Sequence, residues 1–151
     1  MVRAHVQKYA EGGASAGLSA DASGWRLARS IFVADDDPTA TRYAHDENGP
    51  YGFYFRVMRT KLAGFGALGL MKDHPEQADT DITLKRTLER LVIAGTPERV
   101  ADQLLALRRE VGGFGTLLYT GHDQADPGLS RRSMELLANE VWPRVIEGMK
   151  P

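Results

Sequence analysis

An α/β fold built around a small parallel sheet is what this chain predicts, on three observations. Short apolar runs of strand length alternate with stretches of helical periodicity. Residues 25–34, WRLARSIFVA, show a period of two, with Leu27, Ile31 and Val33 on one side and Ala28, Ser30 and Phe32 on the other. Helices open on cap-plus-proline signals at Asp36/Asp37-Pro38, Thr96-Pro97 and Asp126-Pro127, where the missing proline N–H has no intrahelical partner in any case.

Taken in order, residues 1–18 read as the middle of a helix with no start signal. His5 or Val6, Tyr9 and Ala10 share a face, and Gly12-Gly13 forms a stop. A helix starting uncapped at the first residue is expected of a chain cut from something longer. The first strand, 25–34, feeds a short helix from Pro38 through Tyr43 and Ala44, ending near Asn48-Gly49-Pro50. In the aromatic stretch that follows, Tyr51, Phe55, Met58 and Leu62 fall at helical spacing, until Gly64, Gly66 and Gly69 bring a loop. Residues 73–81 are polar and are expected to be an exposed, mobile link.

A helix over 82–91 leads into a strand at 91–94. The next helix, capped by Thr96, carries Val100, Leu104, Leu107 and Val111 on one face and ends at Gly112-Gly113. Residues 114–121 read as a buried strand. In the last helix Met134, Leu137, Val141 and Val145 form the core stripe, with a kink or stop at Pro143. Helices alternating with buried strands imply right-handed β-α-β crossovers. Three such units make either a small open sheet or a fragment of an eight-stranded barrel, which needs about 250 residues; the pattern alone does not choose.

Composition excludes several functions. The chain has 151 residues, 42% of them hydrophobic and 26% charged, as soluble globular proteins do. Its 19 basic and 20 acidic residues are interspersed to a net charge of −1, without the basic surplus of a nucleic-acid binder. It has no apolar run of membrane-spanning length. Arg3, His5, Gln7 and Lys8 break up the start of any signal peptide. There is no cysteine, hence no disulfide, thiolate metal site or thiol nucleophile. A cytoplasmic protein is the default expectation.

Residues 92–146, beginning VIAGTPERVADQLLALRREVGGFGTLLYTGHD, resemble the C-terminal end of the luciferase-like flavin-dependent monooxygenases, most of all the limonene monooxygenase-like branch. The upstream WRLARSIFVADDDPTATRYA fits the same family, and the variable segment at about 46–85 corresponds to its long insertion. The resemblance implies that residues 1–151 form one partial domain: the last three strands and helices of a TIM (β/α)8 barrel, the sixth to eighth, with a helical insertion. It implies reduced FMN, bound non-covalently at the C-terminal mouth, with the deazaflavin F420 as the less favoured cofactor. The reaction implied is oxygenation of a small organic substrate by O2, with a flavin reductase as electron source. Surface meant for the missing strands implies a partner, either a second copy or an N-terminal half-barrel chain.

The same resemblance nominates site residues. Ser30, beside small Ala28, faces the flavin side of its strand. His122, just past the last strand, takes a position where relatives carry a pocket tyrosine, to donate a hydrogen bond or a proton. Arg86 lies where relatives keep a mobile-loop arginine over the flavin phosphate or an anionic substrate. From the residues themselves, Gly95 and Thr96 open a helix whose N–H groups attract anions such as a phosphate, although a Thr-Pro start is far more often only a cap. His5, His45 and His74 lack metal-ligand spacing and read as surface residues, and Asp35-Asp36-Asp37 reads as dipole-favoured helix-start acid rather than a cation site. The alternative is a non-catalytic fragment or small α/β binding module that associates with another chain. A third reading, an independent small enzyme using His122 with Asp123 or Asp126, lacks any set of nucleophile, base and orienting group.

Overall fold

The computed structural model describes residues 2–18, 22–72, 74, 76–122 and 125–150, with side chains from residue 6 onward. Three parallel strands, β1 (Arg26–Val33), β2 (Val92–Gly95) and β3 (Thr116–Thr120), form one sheet in the order β2-β1-β3. The helices are α1 (Val2–Ser15), α2 (Asp37–Ala44), α3 (Pro50–Gly64), α4 (Leu84–Leu91), α5 (Pro97–Val111), α6 (Pro127–Leu136) and α7 (Trp142–Gly148). The α/β class and the parallel pairing agree with the sequence pattern. The strand order corrects one expectation: three consecutive barrel strands would lie with the second in the centre, whereas here the first is central. β2 is only four residues long and pairs with the last part of β1, Ser30 to Val33, while β3 pairs with Arg26 to Ser30.

The period-two pattern of β1 separates two cores. One face sends Ile31 and Val33 against Val100, Ala101 and Leu104 of α5 and Leu136, Val141 and Val145 of the C-terminal helices. The other sends Phe32 and Ala34 against Ala40 and Ala44 of α2, Tyr51 and Phe55 of α3, Met71, Ile82, and Leu84 and Leu88 of α4. Burying a side chain such as Phe32, 2% exposed, contributes about 1.5–3 kcal/mol. The segment expected to be an exposed link is exposed at 74, 76 and 78–81, with only Gln77 among its described residues turned inward. Gln77 is buried at 7%, and Met71 and Ile82 bracket it. Arg59 and Arg90 reach in from either side to donate to the carbonyls of Ile82 and Met71.

The caps form as the residues dictate. Asp36, Thr83, Thr96 and Asp126 each accept the N–H of the residue three positions on, at 2.7, 3.2, 3.5 and 3.0 Å. Gly112 ends α5 at φ +84°, a conformation that favours glycine.

Two expectations fail for identifiable reasons. β3 is not buried: Thr116 and Leu118 are exposed, because β3 is an edge strand and only its Leu117 and Tyr119 side carries helices. Met134 is 44% exposed, and the core stripe upstream is Ser133 and Leu136. A π-turn at Leu137–Val141 joins α6 to α7 and adds a residue to the turn, so the phase extrapolated back from Val141 and Val145 is off by one. Pro143, which has no N–H to donate, follows this wide turn, and the helix continues through it rather than stopping.

β3 stops opposite Ser30, three residues before β1 ends. The β1 groups beyond that point turn to side chains. The Ile31 carbonyl accepts the Tyr51 hydroxyl at 2.9 Å, and the Val33 N–H donates to the fully buried Ser133 Oγ at 2.8 Å. A buried N–H deprived of its partner costs about 1–3 kcal/mol. Ser133→Ala is expected to lower unfolding free energy by that amount in urea titrations and to speed hydrogen exchange at the Val33 amide selectively.

Candidate functional site

Just beyond the end of β3 the chain turns at Gly121, and His122 folds back over the C-terminal half of β1. Its Nε2 lies 2.7 Å from Ser30 Oγ. Helix α3 supplies an aromatic surround: the Tyr54 ring lies 4.2 Å from the imidazole at a tilt of 31°, Tyr51 presents its edge at 4.8 Å, and Phe55 stands at 6.1 Å. Behind the imidazole is a cavity of about 30 Å³ lined by Phe32, Tyr43, Tyr51, Tyr119, Gly121, His122, Ser130 and Met134. That is room for water-sized groups, not for a cofactor.

The electrostatics follow from burial. Loss of solvation pulls His122 below its ordinary value and favours the neutral ring, and no charged neighbour adds to the effect. Burial pushes Tyr51 far above the usual phenol range and raises Tyr119, so both remain hydrogen-bond donors at any physiological pH. Tyr119 also engages Ser133, which links the end of β3 to the hydroxyl that caps Val33. At the end of β1, Asp35 takes a two-pronged contact from Arg132, with Nη2–Oδ1 at 2.6 Å and Nε–Oδ2 at 3.1 Å, and this hydrogen bonding holds its carboxyl below the usual range.

Of the residues singled out in the sequence, the structure brings together Ser30 and His122. Gly95 and Thr96 lie at the C-terminal end of β2, on the opposite edge of β1, with Gly95 beside Val33. Gly95 has φ +150°, and a Cβ there would sit 2.9 Å from Arg99 Cβ, so a side chain is excluded. The start of α5 is already supplied with negative charge. Asp37 Oδ1 lies 3.3 Å from the Thr96 N–H that donates to it, and its Oδ2 accepts from Arg99 Nη1 at 3.0 Å. Arg86 is exposed on α4 and borders a small groove with Asp81, Thr87 and Arg90, apart from the His122 cluster.

Among the described residues no group of three His, Asp or Glu is placed to hold a metal ion, and no helix is long and apolar enough to cross a membrane. His74 is exposed, but His45 is half-buried and its Nε2 is sequestered without a partner, contrary to the surface reading. The side chain of His5, and Asp123 beside His122, lie outside the described residues. The spacing of Tyr51 and Phe55 marks one face of a helix, and the structure sets that face beside His122. Nothing in the sequence signals that Ser133 would be a buried cap or that Asp37 would reach Thr96, since both contacts join segments distant along the chain.

No family model matches the chain. The relatives it matches are nevertheless monooxygenases, one of them solved in complex with FMN. The chain is 29% identical over 149 residues to the 3,6-diketocamphane 1,6-monooxygenase of Pseudomonas putida, covering 96% of this chain and 38% of that protein. It is also 29% identical over 155 residues to the 2,5-diketocamphane 1,2-monooxygenase 1 of the same organism, covering 98% and 41%. Against the structure of the oxygenating constituent of 3,6-diketocamphane monooxygenase from Pseudomonas putida, a type II Baeyer-Villiger monooxygenase in complex with FMN, the TM-score is 0.74 at 28% identity, over 95% of this chain and 40% of that one. A monooxygenase from Streptomyces bottropensis shares the fold, with a TM-score of 0.54 at 21% identity over 94% and 37%. The chain thus spans about two fifths of the length of these relatives.

Two histidines with depressed values make acid stability testable. Burial lowers both His122 and His45 from 6.5, with the Glu89 charge partly opposing the shift at His45. The unfolded chain then binds more protons than the folded one below that pH. Stability should be level above about pH 7, fall as pH drops through 6.5 toward the folded values, and level off again below them. Urea midpoints across pH 5–8 check this, and the double variant His45→Gln/His122→Gln should flatten the slope.

Proposed function

We propose that this chain is the C-terminal part of a flavin-dependent monooxygenase and supplies one wall of an FMN site. The observation that carries the reading is the His122–Ser30 pair, formed where the chain leaves the C-terminal end of β3 and turns over the C-terminal half of β1, the side on which barrel enzymes place their chemistry. In this reading β1 and β3 are neighbouring strands of a TIM barrel, and β2 is a short addition on the other edge of β1. The face carrying Ser30 is then the barrel interior. Its lower half, Arg26, Ala28, Thr116 and Leu118, is exposed here, although parallel sheets are normally covered on both faces. An N-terminal half-barrel, as a separate chain or as preceding sequence, would cover it.

The residues fit the flavin unequally. His122, Tyr54 and Ser30 form an aromatic and hydrogen-bonding surface suited to the edge of a planar ring system. Gly95 and Thr96 do not suit the flavin phosphate while the Asp37 carboxylate occupies the start of α5, so the phosphate contacts fall to other parts of the protein. When bound, reduced flavin supplies the electrons for oxygen activation and the protein orients it. This chain's own groups do the rest. α3 excludes water from one side of His122, Tyr54 holds the ring against rotation, and His122 donates a hydrogen bond or a proton to the reacting groups. The substrate is a small organic molecule, and a separate reductase delivers the reduced flavin. Such a division of labour accords with a relative described as an oxygenating constituent.

The test is flavin titration of the chain mixed with the N-terminal three fifths of the Pseudomonas putida relative, followed by fluorescence quenching. Saturable uptake by the mixture, absent in either part alone, is expected. His122→Ala should then lower oxygenation at least about tenfold, the scale of a lost acid–base group or somewhat below it, while flavin affinity changes little. A mixture that takes up no flavin contradicts the reading.

A further inference from the structure

The His122 imidazole is held from three directions, and only one of them is a hydrogen bond. Tyr54 stacks on its face and Tyr51 meets it edge-on, which fixes the plane of the ring but leaves open which nitrogen carries a proton. Ser30 Oγ, 2.7 Å from Nε2, is the hydrogen-bond partner of that nitrogen, and a hydroxyl there either accepts from Nε2–H or donates to it. Ser30 is itself fixed. It is 7% exposed and stands on the central strand, where its residue pairs with Val92 on one side and Thr120 on the other. Among the described residues, the other titratable groups around the imidazole are phenols: Tyr51 and Tyr54 from α3, Tyr43 from α2 and Tyr119 from β3. Among the described residues no carboxylate partners the ring, and no charged group shifts its titration.

A half-buried imidazole that is to carry a proton, with no carboxylate partner among the described residues, is helped by an acceptor for its N–H. We propose that Ser30 is a positioning residue: its oxygen accepts from Nε2–H in both charge states of His122, so that proton exchange with the ligand is confined to Nδ1. The cycle balances. Nδ1 gives its proton to the reacting group, the neutral ring keeps Nε2–H on Ser30, and a proton taken up at Nδ1 restores the cation. The assignment extends the proposed function by naming the nitrogen and the residue that selects it. It rests on that reading only for the identity of the proton's recipient.

The test needs no flavin. Nitrogen-15 and proton spectra of the imidazole side chains are recorded across pH 4–8 on the 151-residue chain, with His122→Ala assigning the signal. A neutral ring in the Nε2–H form is expected. Ser30→Ala should lower the His122 titration midpoint, because the cation loses its acceptor, and should let both neutral tautomers appear. Ser30→Thr, which keeps the hydroxyl, should restore midpoint and tautomer together. Should Ser30→Ala fail to fold, Ser30→Cys carries the same prediction through its weak sulfur acceptor. A midpoint that rises on substitution shows that Ser30 donates to a neutral Nε2 and overturns the proposal. So does a ring signal that Ser30→Ala leaves unchanged. A purely structural role for Ser30 would alter stability while leaving the tautomer alone. Failure of flavin uptake in the mixed halves bears on the proposed function and not on this titration.

Discussion

β1 runs three residues past the end of β3, and much of the molecule is arranged around that difference. A central strand whose neighbour stops early exposes backbone groups that must be paired, because buried amides and carbonyls left alone are costly. Here the Ile31 carbonyl and the Val33 N–H take side-chain partners from two helices on opposite faces of the sheet, Tyr51 on α3 and Ser133 on α6. Those two hydroxyls pin both layers to β1 at nearly the same level. The gap left by β3 is also where His122 turns back. The same shortfall that requires Tyr51 and Ser133 therefore creates the pocket in which an imidazole can rest on Ser30 among tyrosines.

The segment between α2 and β2 is consequently not an ornament on the fold. Residues of α3, of the turn at Leu68–Met71 and of α4 make up most of the core over the Phe32 face. That packing holds Tyr54 against His122, so the site depends on the segment between α2 and β2. The opposite face is filled by α5 and by the continuous helix α6–α7, whose π-turn resets the phase that buries Leu136, Val141 and Val145 together. What the two cores leave bare is the lower half of the Ser30 face, along with the edge of β1 before β2 begins.

Local chemistry was readable in advance; contacts between distant segments were not. The strand at β1, the caps at Asp36, Thr96 and Asp126 and the aromatic helix α3 follow from periods and cap residues, which are properties of neighbouring positions. The strand order depends on which edge of β1 is taken first, and no local pattern encodes that. The exposure of β3 has the same origin, since an apolar run looks alike in a central or an edge strand. Ser30 and His122 were each singled out, but for separate roles. Their meeting requires knowing that β3 stops opposite Ser30. The reach of Asp37 to the start of α5 is not legible in the sequence, because an acid in the first turn of α2 already has a sufficient local explanation in the helix dipole.

In the proposed barrel, β1 is an interior strand, and its first half is left unpaired on the β2 side in this chain. Carbonyl and N–H groups of the odd residues point toward β3, as Ile31 and Val33 show, so the Ala28 amide points to the open edge below β2, which begins opposite Ser30. Hydrogen exchange at that single amide is the most direct measurement. The account predicts rapid exchange at Ala28 in this chain by itself and clear protection once the N-terminal portion of the relative is added, with Val33 protected in both. An Ala28 amide that is slow from the outset, or that stays rapid in a mixture shown to associate, would contradict it.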